Sequence, residues 1–431
     1  MHVSRRDELR MLLARTRQYV LAAAIVGALT GLAVVGFERV TVSVIFDRVV
    51  AHLPLVVLAF LPGFGLAFTS VWLRRVAHGL SPATADEYLD SFHEGRPLRI
   101  RDLAYRLVAG IVTLGTGCAL GLEGPSIYIG AALGNSLQRR FRRLLTGADR
   151  NLLLVAGAAA GISAIFKAPA TGAVFALEVP YQDDLARRML LPALVASASG
   201  YLALVAFNGT TPLFPISGAP PLSFVDLASA AVLGLAGGLG ARMFAWMLRR
   251  TKAVNTRVSP IVTVTASAGA IAVLFVLGRM LTGQNLVLTP GYGVVAWAAE
   301  PQRSFAILLG VLLLRCCATS AAVAGGGVGG LFVPLVVAGA LLGRMCGAVI
   351  GHDDSLFLVV GVAAFVGAGY RVPLAAVMFV AETTGRPGFI VPGLIAAVIA
   401  ELTMAQSSVT THQLVRPVGA APQAGSDDDA E

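Results

Sequence analysis

Charge is scarce in this sequence. Asp, Glu, Lys and Arg make up 13% of its 431 residues, about half the share of an ordinary soluble domain. That is too little polar surface to clothe a water-soluble body of this length. Lysine is nearly missing: Lys167 and Lys252 are the only two, and arginine carries the rest of a net charge of +9. The arginines form no exposed polar stretch, which argues against a nucleic-acid surface. They stand at the ends of apolar runs, the pattern of a membrane interface. Cysteine is limited to Cys118, Cys316, Cys317 and Cys346. Each lies in an apolar stretch without ligand spacing or loop context, so neither a metal site nor a disulfide is expected, only small apolar packing residues. Walker A, HExxH and GxSxG patterns are absent, which argues against ATP-driven pumping and against those hydrolase chemistries. No cofactor is expected.

What is present is apolar: 56% of the residues, with 48 glycines and 21 prolines. That apolar fraction is too high for disorder. Charge-free runs at 19–37, 49–73, 107–122, 151–166, 189–225, 258–278 and 316–343 include several long enough to span a bilayer. Others, at 124–138, 168–177, 372–381 and 388–400, are short or broken by Gly and Pro. Broken helices at membrane depth occur where backbone lines a cavity or is buried in protein. Strand alternation is absent, so the expectation is an all-α, polytopic membrane protein. The basic start lacks a small-residue cleavage site, and no removed signal peptide is expected. The Arg139, Arg140, Arg142, Arg143 group and the N-terminal arginines are expected to face the cytoplasm together.

The two halves repeat. AGAAAGISAIFKAPATGAVFALE from Ala156 matches VGVAAFVGAGYRVPLAAVMFVAE from Val360 at a constant offset of 204, pairing Lys167 with Arg371, Pro169 with Pro373 and Glu178 with Glu382. Upstream, Gly121–Gly134 pairs with Gly330–Gly343 at an offset of 209, placing Pro125 on Pro334. Chance similarity of apolar helices copies alanines, not Gly, Pro, a base and Glu in order. Each unit reads as a glycine turn, a proline in the first helical turn, then a helix. The result is a pair of helix N-termini inside the membrane with free N–H groups and positive dipole ends, which attract anions. The spacings Gly130/Gly134 and Gly339/Gly343 read as close helix packing.

These residues resemble the CLC family of chloride channels and proton/chloride antiporters. Its Gly-(Arg/Lys)-Glu-Gly-Pro motif is similar to Gly121-Leu122-Glu123-Gly124-Pro125. Its Gly-x-Phe-x-Pro motif is similar to Gly330-Leu331-Phe332-Val333-Pro334, preceded by GGGVGG. The stretches Ala156–Glu178, Arg371–Gly385 and Gly291–Gly293 also fit, and the resemblance covers about residues 20–415. It implies two inverted repeats of tilted and broken helices with re-entrant N-termini, assembled as a homodimer in the cell's inner or plasma membrane. The divisions expected are a cytoplasmic segment 1–18, repeats 19–205 and 206–416, and a disordered acidic tail 417–431.

Carried over by residue, the resemblance makes Glu123 the gate, whose carboxylate competes with the anion until protonated. A lone intramembrane Glu is functional by default. Gly124 and the Leu331 and Phe332 amides are expected at the anion, with Ser81 as the candidate hydroxyl from the stretch His78-Gly79-Leu80-Ser81-Pro82, where the family's serine motif is not intact. Thr410 falls where the family has a pore tyrosine. Glu178 is a candidate proton-pathway residue, yet it and Glu382 also read as helix anchors. Lys167 and Arg371 read either as structural bases or as an anion funnel. Leu122 replaces the usual base, and Val179 stands where coupled members often carry a second carboxylate. Val179 and Thr410 together lean toward a gated, channel-like or weakly coupled chloride pathway, with proton/chloride antiport as the alternative. An intramembrane enzyme would need facing polar pairs, and a transporter of bulky organic anions a wider cavity. Neither is evident.

Overall fold

The computed structural model describes residues 5–414, apart from 146–147, 183, 215–222, 256, 289, 301–302 and 352–353. The acidic tail expected at 417–431 and the first residues of the segment 1–18 lie outside them. The described chain is helical throughout, and no strand occurs beyond two isolated bridges. The first eight helices are α1 (Arg5–Glu38), α2 (Leu55–Val71), α3 (Thr84–Glu94), α4 (Ile100–Gly115), α5 (Glu123–Arg140), α6 (Leu152–Phe166), α7 (Pro169–Glu178) and α8 (Leu190–Asn208). The second eight are α9 (Phe224–Asn255), α10 (Pro260–Thr282), α11 (Tyr292–Ala299), α12 (Phe305–Ala324), α13 (Phe332–Ile350), α14 (Asp354–Tyr370), α15 (Pro373–Thr384) and α16 (Ile390–Met404). Helix α8 runs to Asn208, slightly past the repeat boundary expected at 205.

Eight helical segments among the described residues are long and apolar enough to cross a membrane. Their outer faces remain apolar: Phe64, Ile261 and Leu402 are each more than two-thirds exposed. A helix that is apolar both inside and out belongs in lipid. By contrast α6 is buried along its whole length. It and most of the short α7 and α15 are packed inside protein, where lipid-spanning length is not required.

The repeats pack alike. A side chain at Gly130 or Gly134 of α5 would strike the Gly157 or Leu153 carbonyl of α6. At Gly339 or Gly343 of α13 it would strike the Gly361 or Phe357 carbonyl of α14, the repeat-equivalent contacts. The close-packing reading of these glycines therefore holds. Helix α1 lies on α8 through Gly27 and Gly31 as α9 lies on α16 through Gly234 and Gly238. Lys167 and Arg371 end α6 and α14 with matching left-handed φ of 55° and 56°. In each the next amide reaches back, Ala168 to the Ser163 carbonyl and Val372 to that of Gly367, which closes the helix end. Tyr19, close to the middle of α1, packs in one cluster with Leu137 and Leu145. Cys118 is buried, as expected of a packing residue, whereas Cys317 faces outward from α12.

Candidate functional site

Helices α5 and α13 both begin in the interior. The loops before them, 117–122 and 325–331, are glycine-rich, and they exchange a pair of hydrogen bonds. The Gly121 N–H donates to the Gly330 carbonyl at 2.9 Å, and the Gly330 N–H donates to the Gly121 carbonyl at 2.7 Å. This bridge fixes one helix start against the other. The N-cap positions, Leu122 and Leu331, carry no hydroxyl or carboxylate to cap the helix, so other groups must meet the free N–H groups there.

Glu123 meets those of the opposite repeat. Its side chain is fully buried. Oε1 accepts from the Phe332 N–H at 2.5 Å and the Val333 N–H at 3.3 Å. Oε2 is buried with no hydrogen-bond partner. A side chain at Gly121 or Gly330 would collide with this carboxylate, so both glycines are required by its position. A charged oxygen occupies the positive end of α13, where a small anion would otherwise be favoured. The amides engaged are those of Phe332 and Val333. Leu331, expected with Phe332 at the anion, lines the adjoining cavity.

That cavity measures about 290 Å³ and brings together Ser81, Gly330, Leu331, Tyr370 and Thr410, with Asp86 and Lys252 in its wall. Gly124 approaches the Gly329 loop, where a Cβ would lie 3.1 Å from the Gly329 carbonyl. The Ser81 hydroxyl accepts from the Ala83 N–H at 3.2 Å. The Thr410 hydroxyl shares a 2.9 Å hydrogen bond with that of Ser408. Asp86 binds Lys252 Nζ at 3.1 Å and accepts from the Thr411 hydroxyl at 3.3 Å.

The other sequence-predicted residues are engaged elsewhere. Glu178 accepts from the Leu374 and Ala375 N–H groups at 3.1 and 2.9 Å. Glu382 accepts from the Ala170 and Thr171 N–H groups at 2.8 and 2.7 Å. Both act as helix anchors. Lys167 donates to the Asn208 carbonyl at 3.1 Å, and Arg371 pairs with Glu401 at 3.6 Å and donates to the Ala405 carbonyl. These bases hold backbone and a carboxylate rather than form a funnel. The Val179 carbonyl accepts from Gln413 Nε2 at 2.9 Å, which ties the segment carrying Thr410 to the end of α7.

Three groups were not singled out from the sequence. Arg106 is buried and contacts the Glu87 carboxylate at 2.9 Å, the Tyr128 hydroxyl at 2.6 Å and the Ser81 carbonyl at 3.1 Å. Burial, offset in part by Arg106, holds the Glu87 carboxyl above its ordinary pKa. Arg315 donates to the Leu286, Val287, Leu288 and Pro290 carbonyls and so shapes the loop ahead of α11. An isolated Arg within an apolar run was the available signal for Arg315, whereas Arg106 sits close behind Arg101 and Asp102 and carried no such mark. Tyr370 is buried, lies over Phe332 with ring centroids 6.0 Å apart, and borders the same cavity as Thr410. Its place beside the duplicated base gave no hint of this.

An all-helical membrane body of two like halves, with a buried carboxylate from one half on the helix start of the other, defines a membrane transport protein built on inverted repeats. Residues 66–405 match the family model described as voltage gated chloride channel. The chain belongs to that family, whose members transport anions and are not enzymes. It is 30% identical over 422 residues to a protein of Salmonella paratyphi A named H(+)/Cl(-) exchange transporter ClcA, covering 92% of this chain and 88% of the relative. Among solved structures, a slow cyanobacterial Cl-/H+ antiporter shares 22% identity with a TM-score of 0.79, over 90% of this chain and 94% of that one. A CLC-type fluoride/proton antiporter shares 22% with a TM-score of 0.77, over 96% and 100%.

Proposed function

We propose that this chain exchanges chloride for protons across the cell's inner or plasma membrane, as a homodimer with one pathway in each subunit, and that Glu123 is the gate. The observation that carries the reading is the Glu123 carboxylate on the Phe332 and Val333 amides. An ionised carboxylate there excludes a competing anion. A proton removes its charge, weakens its hold on the helix end and lets chloride take the place. One group thereby handles both ions in alternation. Gly124, Leu331, Phe332, Ser81 and Thr410 are the proposed anion-binding residues, the two hydroxyls lining the approach from the cavity.

The sequence leaned toward a channel-like pathway, and the comparisons favour exchange instead. The relatives are named exchange transporters, and the similar solved structures are antiporters. The lean rested on Val179 and Thr410 alone. A carboxylate at 179 is dispensable if protons reach Glu123 through water in the cavity, and Tyr370 supplies an aromatic hydroxyl to the same space. Glu178 remains a candidate proton carrier, although both its oxygens hold backbone amides.

The test is the purified protein in liposomes with an outward chloride gradient and a potassium-set voltage. Proton uptake that reverses at a fixed chloride-to-proton ratio is the expected result. Chloride flux with no proton movement would overturn exchange. Flux of a bulky organic anion equal to that of chloride would overturn the ion assignment.

A further inference from the structure

We infer that Thr84 is a further anion-binding residue, donating its hydroxyl to a halide in the cavity beside the gate. The inference rests on the transport reading above and adds a ligand to that site.

Thr84 opens α3 and borders the cavity shared by Ser81, Leu331 and Thr410. The residue is 1% exposed. Its Oγ1 is buried and has no hydrogen-bond partner. A buried hydroxyl in that condition calls for an explanation, such as an ion or a water that completes it, and of the described threonines in that condition Thr84 is the one that lines the cavity. The surroundings say which ligand. A Cβ on Gly124 would come within 2.7 Å of Thr84 Oγ1 and 3.1 Å of the Gly329 carbonyl. The hydroxyl therefore lies between the residue that follows the gate and the loop that leads into α13. Gly124, lacking a side chain, permits this close approach, and the free space beside Thr84 is the cavity that it lines. Ser81 Oγ accepts from the Ala83 N–H and the Ser81 carbonyl from Arg106, contacts that leave the Ser81 O–H available to donate beside that of Thr84.

A hydroxyl has one donor and rotates to suit its acceptor. At the N-terminal turn of α3 the dipole adds a favourable field for negative charge. A small monovalent halide matches both. A large organic anion does not, because Gly329, Gly330 and Leu331 crowd the same wall.

The experiment is calorimetric titration of chloride into purified protein, with liposome flux in parallel. Thr84→Val keeps the branched shape and removes the donor, and it is expected to weaken chloride binding about tenfold. Thr84→Ser keeps the donor and is expected to stay within about twofold of wild type. Wild-type affinity in Thr84→Val would overturn the assignment, and so would equal losses in Thr84→Val and Thr84→Ser. If Thr84→Val does not fold, bromide in wild-type crystals decides by its anomalous signal. A peak within hydrogen-bonding reach of Thr84 Oγ1 supports the inference, and occupied peaks only elsewhere overturn it. A wild-type protein that neither binds nor moves chloride would fail the transport reading itself. Binding by wild type with an unaffected Thr84→Val fails this inference alone.

Discussion

Glu178 and Glu382 cap each other's helices. Glu178, the last residue of α7, accepts from the Leu374 and Ala375 amides that open α15. Glu382, in the last turn of α15, accepts from the Ala170 and Thr171 amides that open α7. Each helix ends where the other begins, so the two run antiparallel. Since they are repeat equivalents, the duplication is inverted. The sequence offset alone gave duplication without its hand. The caps also explain two intramembrane carboxylates without assigning them to transport, because each satisfies orphan N–H groups and complements a helix dipole.

Glu178→Gln and Glu382→Gln are each expected to destabilise the protein by about 1–3 kcal/mol, the range for losing a charged partner from buried donors. Thermal unfolding in detergent measures this. Chloride-coupled proton uptake is expected to survive Glu178→Gln in the fraction that stays folded. Loss of uptake with chloride flux intact would make Glu178 the proton carrier instead of an anchor.

Glu123→Gln keeps the size of the gate and removes its charge. Chloride flux should stay high at neutral pH, where wild type is slowed by the ionised carboxylate, and proton exchange should vanish. The sign follows from competition: in wild type, acid protonates Glu123 and flux rises as pH falls. In the variant nothing titrates there and the profile flattens. A Glu123→Gln protein whose flux still climbs steeply on acidification would remove Glu123 from the gate.

Much of this was legible because the signals were local and doubled. Gly, Pro and Glu recurring in order marked helix starts inside the membrane, and the Glu123 loop and the Phe332 helix start were read directly. What escaped depends on contacts between distant segments. The carboxylate grips Phe332 and Val333 because the Gly121–Gly330 bridge sets the register between the two loops. Neither sequence segment encodes that register alone. Tyr370 and Thr84 reach the cavity from α14 and α3, and no spacing pattern relates them to Thr410. Lys167 and Arg371 read as structural bases or as a funnel, and the sequence alone did not name the tertiary acceptors that hold them, the Asn208 carbonyl and Glu401.

Gly330→Ala tests the gate from the other side. A methyl there runs into the Glu123 carboxylate, whereas the backbone needs no left-handed angle at this position. The expected result is displacement of the carboxylate from the α13 amides and flux that resembles Glu123→Gln, with a weakened pH response. The double variant Gly330→Ala/Glu123→Gln should differ little from Glu123→Gln alone. A Gly330→Ala protein with the wild-type pH profile would mean that the carboxylate is not confined by this wall.

The Asp86–Lys252 pair sets the charge of the cavity wall. Lys252 brings a cation to a space that anions must cross, and Asp86 at 3.1 Å largely cancels it. Both side chains are partly exposed, so the pair itself contributes little to stability, and its influence falls on ion entry. Lys252→Gln leaves Asp86 uncompensated and is expected to slow chloride flux at sub-saturating chloride by about threefold, the order of one screened charge at short range. Asp86→Asn frees the lysine and is expected to raise that flux by about the same factor, while Asn can still accept from the Thr411 hydroxyl. Raising ionic strength with an impermeant salt should shrink both effects, because screening acts on exposed charge. Initial rates of chloride efflux at two ionic strengths measure this. If the two variants shift flux in the same direction, or if salt leaves the differences intact, the pair acts through the shape of the cavity and not through its field.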